Sequence, residues 1–167
     1  HAQSVNQNWK TELATSLQTF LACAAAKESR CTHFIGESLT TVYKINDFYS
    51  EQTKRHMTVN EIATFLKESD KWEVLGQSYD QKTLSAAQAH ANAKKAVVAV
   101  YLNTAGVGHV AVITPGELKL SGSWGLSVPS AASFFPTEPS KSFVDKGLSF
   151  AFMKQMLKDV HIYARKY

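Results

Sequence analysis

The sequence predicts an α+β fold, N-terminal helices packed on a small, mostly antiparallel β-sheet, and three observations lead there. Apolar residues recur at helical spacing through the first half of the chain. At Lys95 that period gives way to the unbroken run Ala96-Val97-Val98-Ala99-Val100-Tyr101-Leu102, the pattern of a strand buried on both faces. Beyond it, short apolar runs alternate with glycine- and proline-bearing turns. Helices first and strands afterwards is an α+β order, distinct from the alternation that builds a parallel sheet. A chain of 167 residues suits one domain with a real core and is small for two, so residues 1–167 are expected to form a single domain.

Between Asn8 and Ala26 the residues Trp9, Leu13, Leu17, Phe20, Leu21 and Ala24 define an amphipathic first helix. Lys27 to Arg30 interrupt the pattern, and from Cys31 the positions Phe34, Ile35, Leu39, Val42 and Tyr43 resume it to Ile45, with Ser29 placed to cap the second helix. Asn46 to His56 is polar and irregular. Thr58 and Glu61 have capping-box spacing ahead of a helix from Val59 to about Ser69. Trp72, Val74 and Gly76 read as a connecting segment, followed by an alanine-rich helix over Lys82–Ala93. In the sheet half, Ala96–Leu102 is a strand, Asn103–Gly108 a loop and His109–Ile113 a second strand. Thr114-Pro115-Gly116-Glu117 has the residues of a type II turn, which returns Glu117–Leu120 as an antiparallel partner. Ser121–Pro129 is a strand end or a loop facing a ligand, and Ala131–Val144 carries two prolines and little periodicity. Leu148–Leu157 suggests a short helix, and the alternation in Val160–Arg165 a half-exposed final strand.

Composition narrows the function. Hydrophobic residues make up 44% and charged residues 19%, and no apolar run approaches the roughly 18 residues of a membrane span. The net charge of +4 comes from scattered lysines such as Lys10, Lys67, Lys94, Lys95 and Lys141, without a basic block interleaved with aromatics. That favours an anionic surface as partner over nucleic acid. His33, His56, His90 and His161 lack cluster spacing, and with only Cys23 and Cys31 no metal site is expected. Gly106 and Gly108 precede a strand, so they form no phosphate loop. The chain begins His1-Ala2-Gln3 without methionine, compatible with the remnant of signal cleavage, and an extracytoplasmic setting is expected.

The candidate chemistry lies in two stretches. Cys31 opens a helix, where unpaired backbone N–H groups and the positive end of the dipole favour a thiolate, and His109 opens a strand, where it is placed as a base. The alternatives stand beside them: Cys23, among alanines, is a small buried hydrophobe or the disulfide partner of Cys31, and His109 is a satisfied, partly buried histidine. Cys31-Thr32-His33-Phe34-Ile35 followed by Gly108-His109-Val110-Ala111-Val112-Ile113 resembles the NlpC/P60 and CHAP branch of the papain-like cysteine peptidases and amidases, over roughly Ser29 to Gly125.

That resemblance implies a papain-like fold and a cysteine hydrolase without cofactor that cuts amide bonds in peptidoglycan peptides. Cys31 would be the nucleophile, His109 the base and the backbone N–H of Cys31 an oxyanion donor. The family's third polar residue belongs on the strand after the histidine. A two-residue Pro115-Gly116 turn sets Gly122 opposite His109, and a bulge brings in Ser121 or Ser123. Ser121 is the preferred candidate, a water, a backbone carbonyl or no third group being the alternatives. Trp124, Gly125 and Ser123 are candidate substrate contacts, with a core role for Trp124 equally open. A monomer is expected. The rival readings are a catalytically silent relative that binds cell wall or protein, and a secreted toxin amidase with a cognate protein inhibitor.

Overall fold

Trp9, Leu13, Phe20 and Cys23 form the buried stripe of helix α1 (Trp9–Ala25), the amphipathic segment foreseen from spacing. The structure, a computed structural model, describes residues 4–27, 31, 33–106 and 108–167. Helix α2 (Phe34–Tyr43) starts later than its apolar pattern: Cys31 and His33 adopt 3₁₀ geometry just ahead of it, and His33 takes the N-cap position. The expected cap, Ser29, lies outside the described residues. Tyr43 at the far end donates its hydroxyl to the Ile113 carbonyl at 2.7 Å, which fixes α2 against the sheet.

The segment read as irregular holds a two-stranded ribbon, β1 (Tyr49–Ser50) and β2 (Arg55–His56), leading into α3 (Val59–Glu68). Glu61 performs its capping role by accepting from Thr58 N at 2.8 Å, and Arg55 donates to the same carboxylate at 2.7 Å. The connecting segment around Trp72 is strand β3 (Trp72–Gln77). It was hidden because an edge strand needs few buried side chains and this one carries Gly76. Helix α4 (Gln81–Asn92) follows, with Asp80 accepting from Lys82 N at 3.0 Å as its cap.

The sheet strands are β4 (Val97–Leu102), β5 (Gly108–Ile113), β8 (Ser130–Ser133), β9 (Phe143–Gly147) and β10 (Val160–Arg165), with β6 (Lys119–Ser121) and β7 (Leu126–Val128) between β5 and β8 in the chain. Six strands order as β3-β10-β4-β5-β8-β9, every neighbouring pair antiparallel, and β6 pairs with β7 in a separate ribbon. The fold is therefore α+β with N-terminal helices and an antiparallel sheet. The first four positions of β4 are buried, so both faces of the sheet centre are covered.

Two expectations are corrected here. The chain does not turn back at Pro115-Gly116 to pair Glu117–Leu120 with β5. Asn92 at the end of α4 grips Gly116 through both its amide groups at 2.9 Å, and Thr114 N donates to Ser130 O at 2.9 Å, so β5 takes β8 as its neighbour. Leu120, 81% exposed, shows that β6 lies outside the core. Leu148–Leu157 forms no α-helix either, but two 3₁₀ segments, Leu148–Phe150 and Lys154–Asp159. Among the described residues no helix is long and apolar enough to cross a membrane.

Candidate functional site

His109 is placed by its neighbour. Gly108 has no room for a side chain: a Cβ there would stand 2.8 Å from the Tyr101 carbonyl and 2.9 Å from Val59 Cγ1, so strand β4 and the first residue of α3 press directly on the start of β5. The next residue, His109, is then buried at 9% exposure beneath two aromatic rings. Phe135 stacks on the imidazole at 4.0 Å between centroids and Phe152 meets it edge-on at 5.6 Å.

The polar partner of the ring is Ser133, whose Oγ lies 2.5 Å from His109 Nε2. Ser133 donates its only proton to the Val110 carbonyl at 2.9 Å, so at the imidazole it acts as acceptor. The network thereby assigns the proton to Nε2 and leaves the lone pair on Nδ1, which has no hydrogen-bond partner among the described residues. Burial lowers the His109 pKa to about 4, so the ring is neutral at neutral pH. A neutral, oriented imidazole with an open lone pair can accept a proton where a nearby negative charge offsets the cost of its burial.

The histidine borders a cavity of about 610 Å³ lined by Tyr101, Phe135, Phe152, Ser123, Lys141 and Lys154 among others. Lys141 is paired with Glu138 at 3.1 Å, whereas Lys154 makes no ion pair among the described residues. Phe150 and Met153, 64% and 58% exposed, form an apolar rim.

The expectation of a free Cys31 thiol is corrected. Cys31 is joined to Cys23 in a disulfide, with the two Cα atoms 5.9 Å apart. The end of α1 and the 3₁₀ turn before α2 bring the two cysteines within ordinary bridging distance, the pairing that the sequence left open for Cys23. While that bond stands, Cys31 has neither a proton to give His109 nor a lone thiolate. Among the described residues, neither Cys31 nor any residue of α1 or α2 lines the cavity at His109. Helix α2 packs on β5, and Phe20 of α1 meets Phe34 of α2 at 5.7 Å and stacks on Phe134 at 5.2 Å, beside the Phe135 that covers His109.

Ser121 does not meet the imidazole. Its hydroxyl accepts from Trp124 N at 3.1 Å and shares a hydrogen bond with Ser123 at 3.2 Å, which follows from the pairing of β6 with β7. Ser133 stands where Ser121 was expected. Trp124 is buried and donates Nε1–H to the Phe152 carbonyl at 3.0 Å, so it supports the segment that covers His109 without lining the cavity. Gly125, at φ +70°, serves the β6–β7 turn, and of the three proposed substrate contacts only Ser123 reaches the cavity. Ser133, Phe135 and Phe152 were missed by sequence reasoning. The one available signal was Ser130-Ala131-Ala132-Ser133, small residues able to fit between two strands. Among the described residues no group of three or more histidines, cysteines or acidic residues is arranged to hold a metal ion.

Fold and site together define an α+β protein with a serine-held histidine at the edge of a cavity with an apolar rim, and a disulfide that joins the end of α1 to the turn ahead of α2. Compared with known proteins, the chain matches no family model and no curated sequence.

Proposed function

We propose that the protein is a cysteine hydrolase of the NlpC/P60-like, papain-like kind, acting on amide bonds of peptidoglycan peptides when Cys31 is reduced. The observation that carries this reading is the His109–Ser133 pair: its Nε2–H is held, its Nδ1 is open, and it borders a cavity large enough for a peptide. In the reaction the Cys31 thiol gives its proton to His109 Nδ1 and the sulfur attacks the scissile carbonyl. The Cys31 backbone N–H steadies the oxyanion, and the imidazolium protonates the leaving amine as the C–N bond breaks. Water, deprotonated by the same imidazole, then releases the acid from the thioester. Ser133 holds the ring through both half-reactions, and no cofactor enters.

Lys141 and Lys154 at the cavity suit a substrate bearing carboxylates, as wall peptides do. The Cys23–Cys31 disulfide supports an extracytoplasmic setting, since such bonds persist in oxidising compartments. The proposed working unit is a monomer. The test is hydrolysis of muropeptides by reduced wild type, Cys31→Ala and His109→Ala. Activity confined to wild type is expected, and equal turnover by Cys31→Ala would end the proposal.

The disulfide itself favours a second reading, a silent relative that binds wall or protein through the same cavity, with Phe150 and Met153 as its apolar contacts. Binding of muropeptides without turnover, unchanged by reduction, would select it. A toxin amidase with a protein inhibitor is the hydrolase reading in another setting, and the same assay covers its chemistry.

A further inference from the structure

Cys23 lines a second cavity, of about 400 Å³, together with His33, Phe34, Glu37, Tyr49 and His56, and Cys31 is absent from that lining. Cys23 thus borders this cavity and Cys31 does not, while both are almost wholly buried, at 8% and 6% exposure. We propose that this cavity is a thiol-exchange site at which a low-molecular-weight thiol attacks Cys23 and releases Cys31, so that the disulfide acts as a redox latch on the nucleophile; the latch function rests on the hydrolase reading above, the exchange site does not.

The attack has a preferred direction. The incoming thiolate forms a new S–S bond to Cys23 as the Cys23–Cys31 bond breaks, and the electron pair leaves on the Cys31 sulfur. Thiol–disulfide exchange favours the leaving sulfur with the lower pKa. Cys31 sits just ahead of α2, whose positive end favours a thiolate departing there, whereas Cys23 sits near the C-terminal, negative end of α1. Access and leaving-group ability therefore agree. His56, which lines the same cavity, is the candidate to take the proton of the incoming thiol. Burial lowers the pKa of His56, against a raising effect of Glu37 and a lowering effect of His33, which keeps it a neutral acceptor; Lys54 and Arg55, the other charged groups there, are paired with Glu51 and Glu61. A second molecule of thiol resolves the mixed disulfide, giving the Cys23 thiol and the oxidised, dimeric form of the small thiol. The cavity size favours a tripeptide-sized thiol over the active site of a reducing protein.

The experiment treats the full-length oxidised chain with limiting reduced glutathione, quenches in acid, alkylates free thiols and maps the peptides. Glutathione on Cys23 and the alkyl label on Cys31, in a ratio of about ten to one over the reverse, is expected. A predominance of glutathione on Cys31, reduction only by a protein dithiol, or no disulfide in the starting protein would overturn the exchange site. In parallel, muropeptide hydrolysis is measured for wild type with and without glutathione and for Cys23→Ala, with circular dichroism to verify folding. The latch requires that wild type depend on glutathione and that Cys23→Ala not depend on it. Equal hydrolysis by oxidised and reduced wild type would overturn the latch and leave the hydrolase standing. Adduct on Cys23 with a free Cys31 and no hydrolysis would reject the hydrolase, and the latch with it, while upholding the exchange site.

Discussion

Replacing Ser133 with alanine removes one oxygen and no more, and the structure says what that oxygen does. Its loss leaves the His109 Nε2–H without an acceptor and takes a donor from the Val110 carbonyl, both in a region where Ser133 and His109 are buried. An unsatisfied buried donor costs about 1–3 kcal/mol and the second bond adds about 1, so a loss of about 2–4 kcal/mol in unfolding free energy is expected. For a domain of this length, that corresponds to a fall of about 4–16 °C in Tm. Guanidinium melts measure the first quantity and calorimetry the second. The proton spectrum supplies a sharper check: a slowly exchanging imidazole Nε2–H resonance should be present in wild type and lost in Ser133→Ala. If the hydrolase reading holds, an imidazole freed of its partner loses about 1.5–3 kcal/mol of orientation, a 10- to 100-fold fall in kcat with KM little changed. A variant within about 0.5 kcal/mol of wild type that keeps its protected Nε2–H would refute the assignment of Ser133.

Asp47 accepts from both Trp72 Nε1 at 2.9 Å and Arg165 Nε at 2.8 Å, tying the loop after α2 to β3 and β10; Asp47→Ala should cost about 3 kcal/mol in a denaturant melt by leaving the mostly buried Arg165 without its counter-charge. Gly76 stands at φ +145° with the position of a Cβ 2.3 Å from Thr83 Oγ1, so Gly76→Ala should lower stability by about 2 kcal/mol or more, and Thr83→Ala in the same chain should restore part of it. The His109 pKa is lowered from 6.5 to about 4 in the folded protein, so its contribution is complete above pH 6.5 and is lost as the pH falls towards 4; unfolding free energy should drop by about 3 kcal/mol across that window in wild type and by less in His109→Gln. Reducing the disulfide opens a nine-residue loop and should lower unfolding free energy by about 2.6 kcal/mol, leaving a folded protein by circular dichroism.

The helices and the central strands were legible because burial leaves a period in the sequence. Trp9 to Phe20 repeats at helical spacing along one stripe, and β4 is an unbroken apolar run because both its faces are covered. Strand β3 left no such trace, being an edge strand with mostly partly exposed side chains. Strand β8 failed for the opposite reason. Ser130 to Ser133 is buried throughout, yet it is made of alanine and serine, whose small side chains carry little hydrophobic signal. The missing third residue followed from that one error. Once Pro115-Gly116 was read as a hairpin, Gly122 stood opposite His109 and the partner was sought in Ser121 or Ser123 through a bulge, whereas the grip of Asn92 on Gly116, an interaction across 24 positions, is not written in any local pattern. His109 was found because a Gly-His-apolar start is local. Its aromatic cover, Phe135 and Phe152, comes from segments dozens of residues downstream.

The charge state of His109 and the oxidation state of Cys31 belong to one argument. A buried imidazole under two aromatic rings is costly to protonate, which is why its pKa falls. With Cys31 tied to Cys23 it carries no thiolate, and the neutral ring satisfies Ser133 through Nε2–H alone. Release of Cys31 changes this balance. In the proposed hydrolase, transfer of the thiol proton to Nδ1 would create imidazolium and thiolate together, each offsetting the other's burial, while Nε2–H remained bonded to Ser133. On that proposal, the apolar cover that makes an isolated imidazolium unfavourable would make the proton transfer depend on the sulfur being free. On the proposed hydrolase mechanism, such a site would be uncharged when oxidised and would become an ion pair only when the nucleophile is free.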